Sequence, residues 1–319
     1  MSISPEFNAS RKLLYVFGYP IAQSKSPLIH STGYKALDLP HEFSIIERPE
    51  LTEEIEEILG DEAFGGMAVT MPFKVSIKKL LDDFTPAARQ LGAVNTVIPR
   101  LGADGKRVLV GDNTDWIGIR NVLLGGLKPE HQGDSQSTGL VIGAGGAARA
   151  AVYALGEMGI RTVYLFNRSR SRIEEIIADF ASYNKINIVP IASLAAEDFT
   201  LGLPLFVVGT VPVQGTFAPT LFSVDGLPPS AEGAITLNPA AFSRSQGGVM
   251  LDMAYLPKRT ALIRLAEESK SEWSTNPGIM VLLQQAFAQF ELWTGLKPPE
   301  EEMEARTLEV YEREASGKL

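Results

Sequence analysis

One stretch constrains the fold of this chain more than any other: Thr138-Gly-Leu-Val-Ile-Gly-Ala-Gly-Gly-Ala-Ala-Arg-Ala-Ala-Val-Tyr-Ala-Leu155. A short apolar strand, Leu140 to Ile142, runs into a glycine-rich turn, and an alanine-rich helix follows at once to about Glu157. Gly143 permits the tight turn, and Gly145 lets backbone N–H groups approach a pyrophosphate at the positive end of the helix dipole. Ala148 stands in the third position of the fingerprint, where a small residue still lets helix and strand pack closely. Residues Gly143, Ala144, Gly145, Gly146, Ala147 and Ala148 are therefore the candidate phosphate cradle. A glycine turn alone is weak grounds for dinucleotide binding, so its surroundings decide.

A second strand, Thr162 to Phe166, ends at Asn167-Arg168-Ser169-Arg170-Ser171-Arg172. An acidic residue that reads the ribose belongs there, roughly 20 residues after the glycines, and this chain has none. Arginines at a strand end suit a 2′-phosphate, which their forked donors clamp with charge-assisted hydrogen bonds. The competing reading is a solvated basic turn that opens the next helix. Position and charge together favour NADP.

The remaining text supports a two-domain α/β protein. At 319 residues the chain can bury two cores, and 45% hydrophobic with 21% charged residues describes a soluble globular protein. A net charge of −9 argues against nucleic acid or an anionic membrane as the main partner, and says little about a small acidic substrate, which a local basic pocket can hold. Cysteine is absent, which excludes disulfides, thiolate metal sites and a cysteine nucleophile. Neither a signal peptide nor an apolar run of membrane-span length is read, so a cytoplasmic location is expected. His30, His41 and His131 lie apart, with no metal-ligand spacing, and no Gly-x-Ser-x-Gly elbow appears.

Before the glycine turn, short apolar runs alternate with helical stretches: strands at Leu14–Phe17, Glu42–Glu47 and Gly66–Thr70, and helices from Pro27 and over Leu51–Leu59. Pro72 is expected to open another helix, placing Lys74 in its first turn. Val94–Ile98 and Arg107–Val110 read as a β pair around a Gly-Ala-Asp-Gly turn. The expected fold is an N-terminal α/β substrate domain with a mainly parallel sheet, followed by a C-terminal Rossmann-like NADP-binding domain. Expected boundaries are 1–117, completed by helices over 283–319, and 118–282. The Pro-, Gly- and Ser-rich segment from Pro212 to Gly248 reads as a long excursion at the second domain's rim.

Four polar clusters fall where strands end, the edge at which open α/β sheets bind ligands. Ser24-Lys-Ser26 precedes a helix, where two hydroxyls beside the N-terminus can hold a carboxylate; the plainer reading makes Ser26 only a cap. Thr70 and Lys74, then Gly92-Ala-Val-Asn95-Thr, then Asp112-Asn-Thr-Asp115 supply the others. Singly, a lysine is usually a surface charge and an aspartate at a helix start a cap. Together they suit hydride transfer to a ketone, in which an ammonium stabilises the developing alkoxide and supplies a proton while a carboxylate holds the ammonium.

The chain resembles the shikimate dehydrogenases, including the quinate/shikimate dehydrogenases. The resemblance rests on Gly18-Tyr-Pro-Ile-Ala-Gln-Ser-Lys-Ser-Pro27, Val69-Thr-Met-Pro-Phe-Lys74, Gly92-Ala-Val-Asn-Thr96 and Asp112-Asn-Thr-Asp115. It continues through the glycine turn, Asn167-Arg-Ser169, Asp252-Met-Ala-Tyr-Leu-Pro257 and Gln285-Ala-Phe-Ala-Gln-Phe-Glu-Leu-Trp293, in family order. It implies reversible reduction of 3-dehydroshikimate to shikimate with NADPH, with Lys74 and Asp115 as the catalytic pair. Ser24 and Ser26 are implied to bind the substrate carboxylate, Thr70, Asn95 and Gln285 its hydroxyls, with Tyr255 near the ring. Asn167, Arg168, Ser169 and Arg172 are implied to meet the adenosine 2′-phosphate. The pattern departs at Gly209-Thr-Val-Pro212, where the family often has Asn followed by Thr or Ser. That wording and the long excursion point to the fungal side of the family. The alternatives are a catabolic quinate/shikimate dehydrogenase, with NAD as an optional cofactor, and a non-catalytic metabolite sensor, against which an intact Lys74, Asp115 and glycine turn argue. The resemblance is compatible with a monomer or a homodimer.

Overall fold

The computed structural model describes residues 8–102, 104–131, 137–211, 222–224 and 235–315. The chain divides into two compact units, Met1–Asp115 with Leu283–Leu319, and Trp116–Leu282.

The first unit begins with β1 (Leu13–Gly18), α1 (Ser26–Ala36), β2 (Glu42–Glu47), α2 (Glu53–Gly60) and β3 (Phe64–Val69). Next come β4 (Asp83–Phe84), α3 (Pro86–Leu91), β5 (Thr96–Leu101) and β6 (Arg107–Asp112). Its sheet runs β2-β1-β3-β5-β6-β4. β1 pairs in parallel with β2 and β3, and β4 with β6, but β5 lies antiparallel to both β3 and β6. The sheet is thus mixed but mainly parallel, since of its six strands β5 alone runs against the others. The reason is local: only a short turn separates β5 from β6, and a connection that short returns the chain antiparallel. All six residues of β3 are buried, as a central strand requires, and Phe17, Met67, Ile77 and Val97 form the core with Ile55 from α2.

The second unit is an all-parallel sheet. Its elements are α4 (Asp115–Gly125), β7 (Thr138–Ile142), α5 (Gly146–Glu157), β8 (Thr162–Phe166), α6 (Arg170–Asp179), β9 (Asn187–Pro190) and β10 (Pro204–Gly209). A small parallel pair, β11 (Phe222–Val224) and β12 (Ile235–Leu237), precedes β13 (Gly248–Asp252), α7 (Ala261–Glu267) and β14 (Trp273–Pro277). The main sheet runs β14-β13-β10-β7-β8-β9. Within the unit this is the doubly wound order 6-5-4-1-2-3, whose direction of winding reverses between β7 and β10. The glycine turn leaves β7 at that reversal. Ala150, Ala151, Ala154 and Leu155 of α5 are fully buried, and small side chains there let helix and sheet approach closely. Two helices follow: α8 (Gly278–Thr294), which passes from the second unit to the first at Leu283, and α9 (Glu300–Ala315), which belongs to the first.

Two expectations change. Pro72 does not open an α-helix: residues 71–75 form a turn that holds Lys74, and a single stretch of 3₁₀ helix, Ser76–Leu80, follows. Leu81 then adopts extended backbone and leads into β4, so no room remains for a longer helix. Much of 212–248 lies outside the described residues, but its Pro239–Phe242 turn is not at the rim. Ala241 and Phe242 are buried in the second core, as their apolar side chains favour, and Trp273 Nε1 donates to the Phe242 carbonyl at 3.2 Å.

Candidate active site

The ends of neighbouring strands β1 and β3 place the first polar cluster. Thr70 N–H donates to the Phe17 carbonyl at 2.9 Å and Tyr19 N–H to the Met71 carbonyl at 3.0 Å. Gly18 is required by this approach, since a Cβ there would stand 2.4 Å from the Thr70 methyl and 2.9 Å from the Met71 carbonyl oxygen. Phe73 is buried and stacks on Phe17 with centroids 4.3 Å apart, anchoring the turn that carries Lys74. The Lys74 carbonyl accepts the Val94 N–H at 2.7 Å, which ties this turn to the segment holding Asn95.

Lys74 Nζ donates to Asp115 Oδ2 at 2.6 Å, with both side chains partly buried. Asn95 Nδ2 donates to Asp115 Oδ1 at 2.9 Å and to Gln285 Oε1 at 2.8 Å. Lys74, Asn95, Asp115 and Gln285 are therefore one connected group, although Gln285 lies 190 positions beyond Asn95 in the chain. Ser26 opens α1 and is buried, and its N–H donates to Ser24 Oγ at 3.3 Å. The cap position of this helix is Lys25 and no side-chain cap bond closes it, so Ser26 is its first helical residue and not its cap.

Three further residues complete the group, and the reading of the sequence assigns them no role. Thr114, inside the Asp112–Asp115 motif, gives its N–H to Asn95 Oδ1 at 2.7 Å. Thr96 gives its hydroxyl to the same oxygen at 2.7 Å. Gln289 donates from Nε2 to Thr96 Oγ1 at 3.0 Å. The available signal was the four-residue spacing of Gln285 and Gln289, which puts both on one helix face.

Tyr255 belongs to the second unit, in the loop after β13, three positions beyond the buried Asp252. The expected cofactor residues also lie in that unit, along one sheet edge. Gly143 N–H donates to the Phe166 carbonyl at 2.8 Å, so the glycine turn after β7 adjoins the basic turn after β8. Gly143 has φ +120°, and a Cβ there would lie 2.3 Å from Thr210 Oγ1, leaving glycine as the residue that fits.

Comparison with known proteins gives these groups a context. Residues 16–97 match the shikimate dehydrogenase substrate binding domain, and residues 278–308 the shikimate 5′-dehydrogenase C-terminal domain. The pentafunctional AROM polypeptide of Mycosarcoma maydis is 36% identical over 325 residues, covering 95% of this chain. The chain belongs to the shikimate dehydrogenase family. It spans only 18% of the length of that AROM relative.

Two solved structures of the family share the fold. The dehydroquinate dehydratase and shikimate dehydrogenase from S. pombe AroM is 35% identical, with a TM-score of 0.75 over 94% of this chain and 53% of that one. The shikimate 5-dehydrogenase of Thermus thermophilus, solved in complex with NADP(H) and shikimate, is 29% identical, with a TM-score of 0.71 over 93% and 99%. Family members thus bind a nicotinamide cofactor and shikimate.

The second unit fits such a cofactor. Gly145 and Gly146 are exposed, and a Cβ on either would meet nothing within 4 Å, so bare backbone faces open space at the start of α5. Gly145 provides no side-chain cap there, which leaves first-turn N–H groups for an anion. In the adjoining turn, Asn167 Nδ2 donates to the Ser169 carbonyl at 3.1 Å, Ser169 Oγ lies 2.9 Å from Ser171 Oγ, and Arg168 and Arg172 are exposed. Among the described residues no helix is long and apolar enough to cross a membrane, and no cluster of three or more acidic or histidine side chains could hold a metal.

Proposed function

We propose that this chain catalyses the reversible NADP-dependent interconversion of shikimate and 3-dehydroshikimate, the first unit holding the substrate and the second the cofactor. The observation that carries the reading is the Lys74–Asp115 contact at 2.6 Å, joined by Asn95 and Gln285. The bound nicotinamide supplies or accepts the hydride. Lys74 acts at the oxygen: its ammonium donates a hydrogen bond to the ketone, stabilises negative charge as it develops and transfers a proton to give the alcohol. In the reverse direction its amine takes that proton. Asp115 keeps the ammonium aimed by accepting one of its three N–H bonds, which leaves two for substrate.

Ser24 and Ser26 hold the substrate carboxylate with hydroxyl donors and the N-terminus of α1. Thr70, Asn95 and Gln285 bind its ring hydroxyls, and Tyr255 lies against the ring. Gly143 to Ala148 cradle the pyrophosphate. Asn167, Arg168, Ser169 and Arg172 read the 2′-phosphate, a reading supported by the exposed arginines and the lack of an acidic residue over 166–172.

Steady-state kinetics with NADP and NAD, each on shikimate and quinate, tests the proposal. NADP with shikimate is expected to give the highest kcat/KM. A strong preference for NAD overturns the cofactor assignment, and preference for quinate overturns the substrate. No absorbance change with any pair leaves a metabolite-binding protein instead of an enzyme.

A further inference from the structure

Asn95 has an unusual set of constraints. Its Oδ1 accepts from the Thr114 backbone N–H at 2.7 Å, a donor whose direction cannot be reversed. The same oxygen accepts the Thr96 hydroxyl at 2.7 Å, so both lone pairs are used. Nδ2 is left to face three acceptors, Gln285 Oε1 at 2.8 Å, Asp115 Oδ1 at 2.9 Å and Thr114 Oγ1 at 3.0 Å, over which its two hydrogens are shared. Thr96 can donate in that direction because its own oxygen already accepts from Gln289 Nε2 at 3.0 Å. Asn95, Thr96, Thr114 and Gln289 are all buried, where an unsatisfied or reversed polar group is costly.

We propose that Thr96 and Gln289 are positioning residues of the active site: a one-way relay, Gln289 to Thr96 to Asn95 to Asp115, sets the Asn95 amide and so aims the carboxylate that holds Lys74. The inference rests on the catalytic reading above. Its chemical consequence reaches the substrate. With Gln285 Oε1 occupied by Asn95, Gln285 turns its NH₂ end to the ligand and recognises an acceptor oxygen. Reversing the Asn95 amide would set its oxygen against the Asp115 carboxylate and loosen the grip on Lys74.

The test compares wild type, Thr96→Ser, Thr96→Val, Asn95→Ala and the Asn95→Ala/Thr96→Val double variant. Valine matches threonine in shape and removes only the hydroxyl. Thr96→Val is expected to lower kcat/KM about 10- to 100-fold, chiefly through kcat, while Thr96→Ser stays within roughly threefold of wild type. In the Asn95→Ala background the valine change is expected to cost less than about twofold further, because Thr96 acts through Asn95. Wild-type kinetics in Thr96→Val, or an undiminished loss in the Asn95→Ala background, overturns the relay. Where Thr96→Val does not fold, Gln289→Met replaces it, with a smaller loss in the same direction and the same dependence on Asn95.

A second readout needs no turnover. In protein carrying ¹⁵N-labelled asparagine side chains, the Asn95 NH₂ pair is assigned by its loss in Asn95→Ala. Its hydrogens are expected to exchange at least about tenfold more slowly than those of surface asparagines, and to speed up in Thr96→Val but not in Thr96→Ser. Rapid exchange in wild type overturns the relay. A wild type that oxidises no substrate overturns the proposed function instead, and the exchange measurement still judges the relay.

Discussion

The ammonium of Lys25, flanked by Ser24 and Ser26, meets the carboxylate of Glu314 from the last turn of α9, 289 positions away. Both side chains are largely covered, at 12% and 25% exposure. Helices α1 and α9 pack closely, and a Cβ on Gly33 of α1 would stand 2.8 Å from Met303 Sδ. The final helix thereby pins the N-terminus of α1, the place proposed to receive the substrate carboxylate.

Glu314→Ala is therefore expected to raise KM for shikimate about fivefold, roughly 1 kcal/mol, while leaving kcat within twofold. Initial rates over a substrate series check this, with the exposed pair Arg306–Glu309 on the same helix as the control site. An Arg306→Ala variant is expected to bind as wild type does.

The basic turn gives a separate expectation. Arg168→Ala should raise KM for NADP about 10- to 100-fold and change KM for NAD less than about threefold, since only one cofactor carries the 2′-phosphate. Equal effects on both cofactors would place Arg168 at the adenine or outside the site.

Two buried groups predict opposing pH dependences of stability. Burial among Phe43, Trp293 and Tyr34 pushes the His30 imidazole down to about 3. The unfolded chain takes up that proton near pH 6.5, so the unfolded state binds more protons between these values and stability falls as pH drops through the window. Burial pushes the Asp252 carboxyl up to about 6, against the Thr260 hydroxyl and Ala254 N–H, which favour the charged form. Here the folded state binds more protons between 3.8 and about 6, so stability falls as pH rises, by up to about 3 kcal/mol. Urea midpoints from pH 4 to 7 check both signs. Asp252→Asn is expected to remove the loss on raising pH, and His30→Phe to reduce the loss on lowering it, to which the buried His41 imidazole, pushed down by burial to about 4, also contributes.

How much of this was legible in the sequence follows from range. The strand, glycine turn and helix at Leu140–Glu157 are local, and periodicity with turn chemistry located them closely. So did the β5–β6 pair. β14 escaped notice because Trp273-Ser-Thr-Asn-Pro277 is polar, with a proline at its end, as an edge strand allows. The helix expected from Pro72 failed because the next strand begins too soon. Lys74, Asn95 and Asp115 came forward as polar residues at strand ends and Gln285 through a family motif, whereas their hydrogen bonds depend on the fold that gathers them. Thr96, Thr114 and Gln289 are ordinary buried polar residues in the text of the chain. Only the direction of each hydrogen bond reveals what they hold, and no local pattern encodes the Lys25–Glu314 contact.

The central claim is that Lys74, held by Asp115, moves the proton that accompanies hydride transfer. Its most direct test is the absorbance of reduced nicotinamide on mixing shikimate and NADP with wild type and with Lys74→Ala, alongside circular dichroism of both. The account predicts turnover by wild type and a loss of about 10²- to 10⁴-fold in kcat for the variant, with the fold unchanged. Near-normal turnover by a folded Lys74→Ala protein would contradict it.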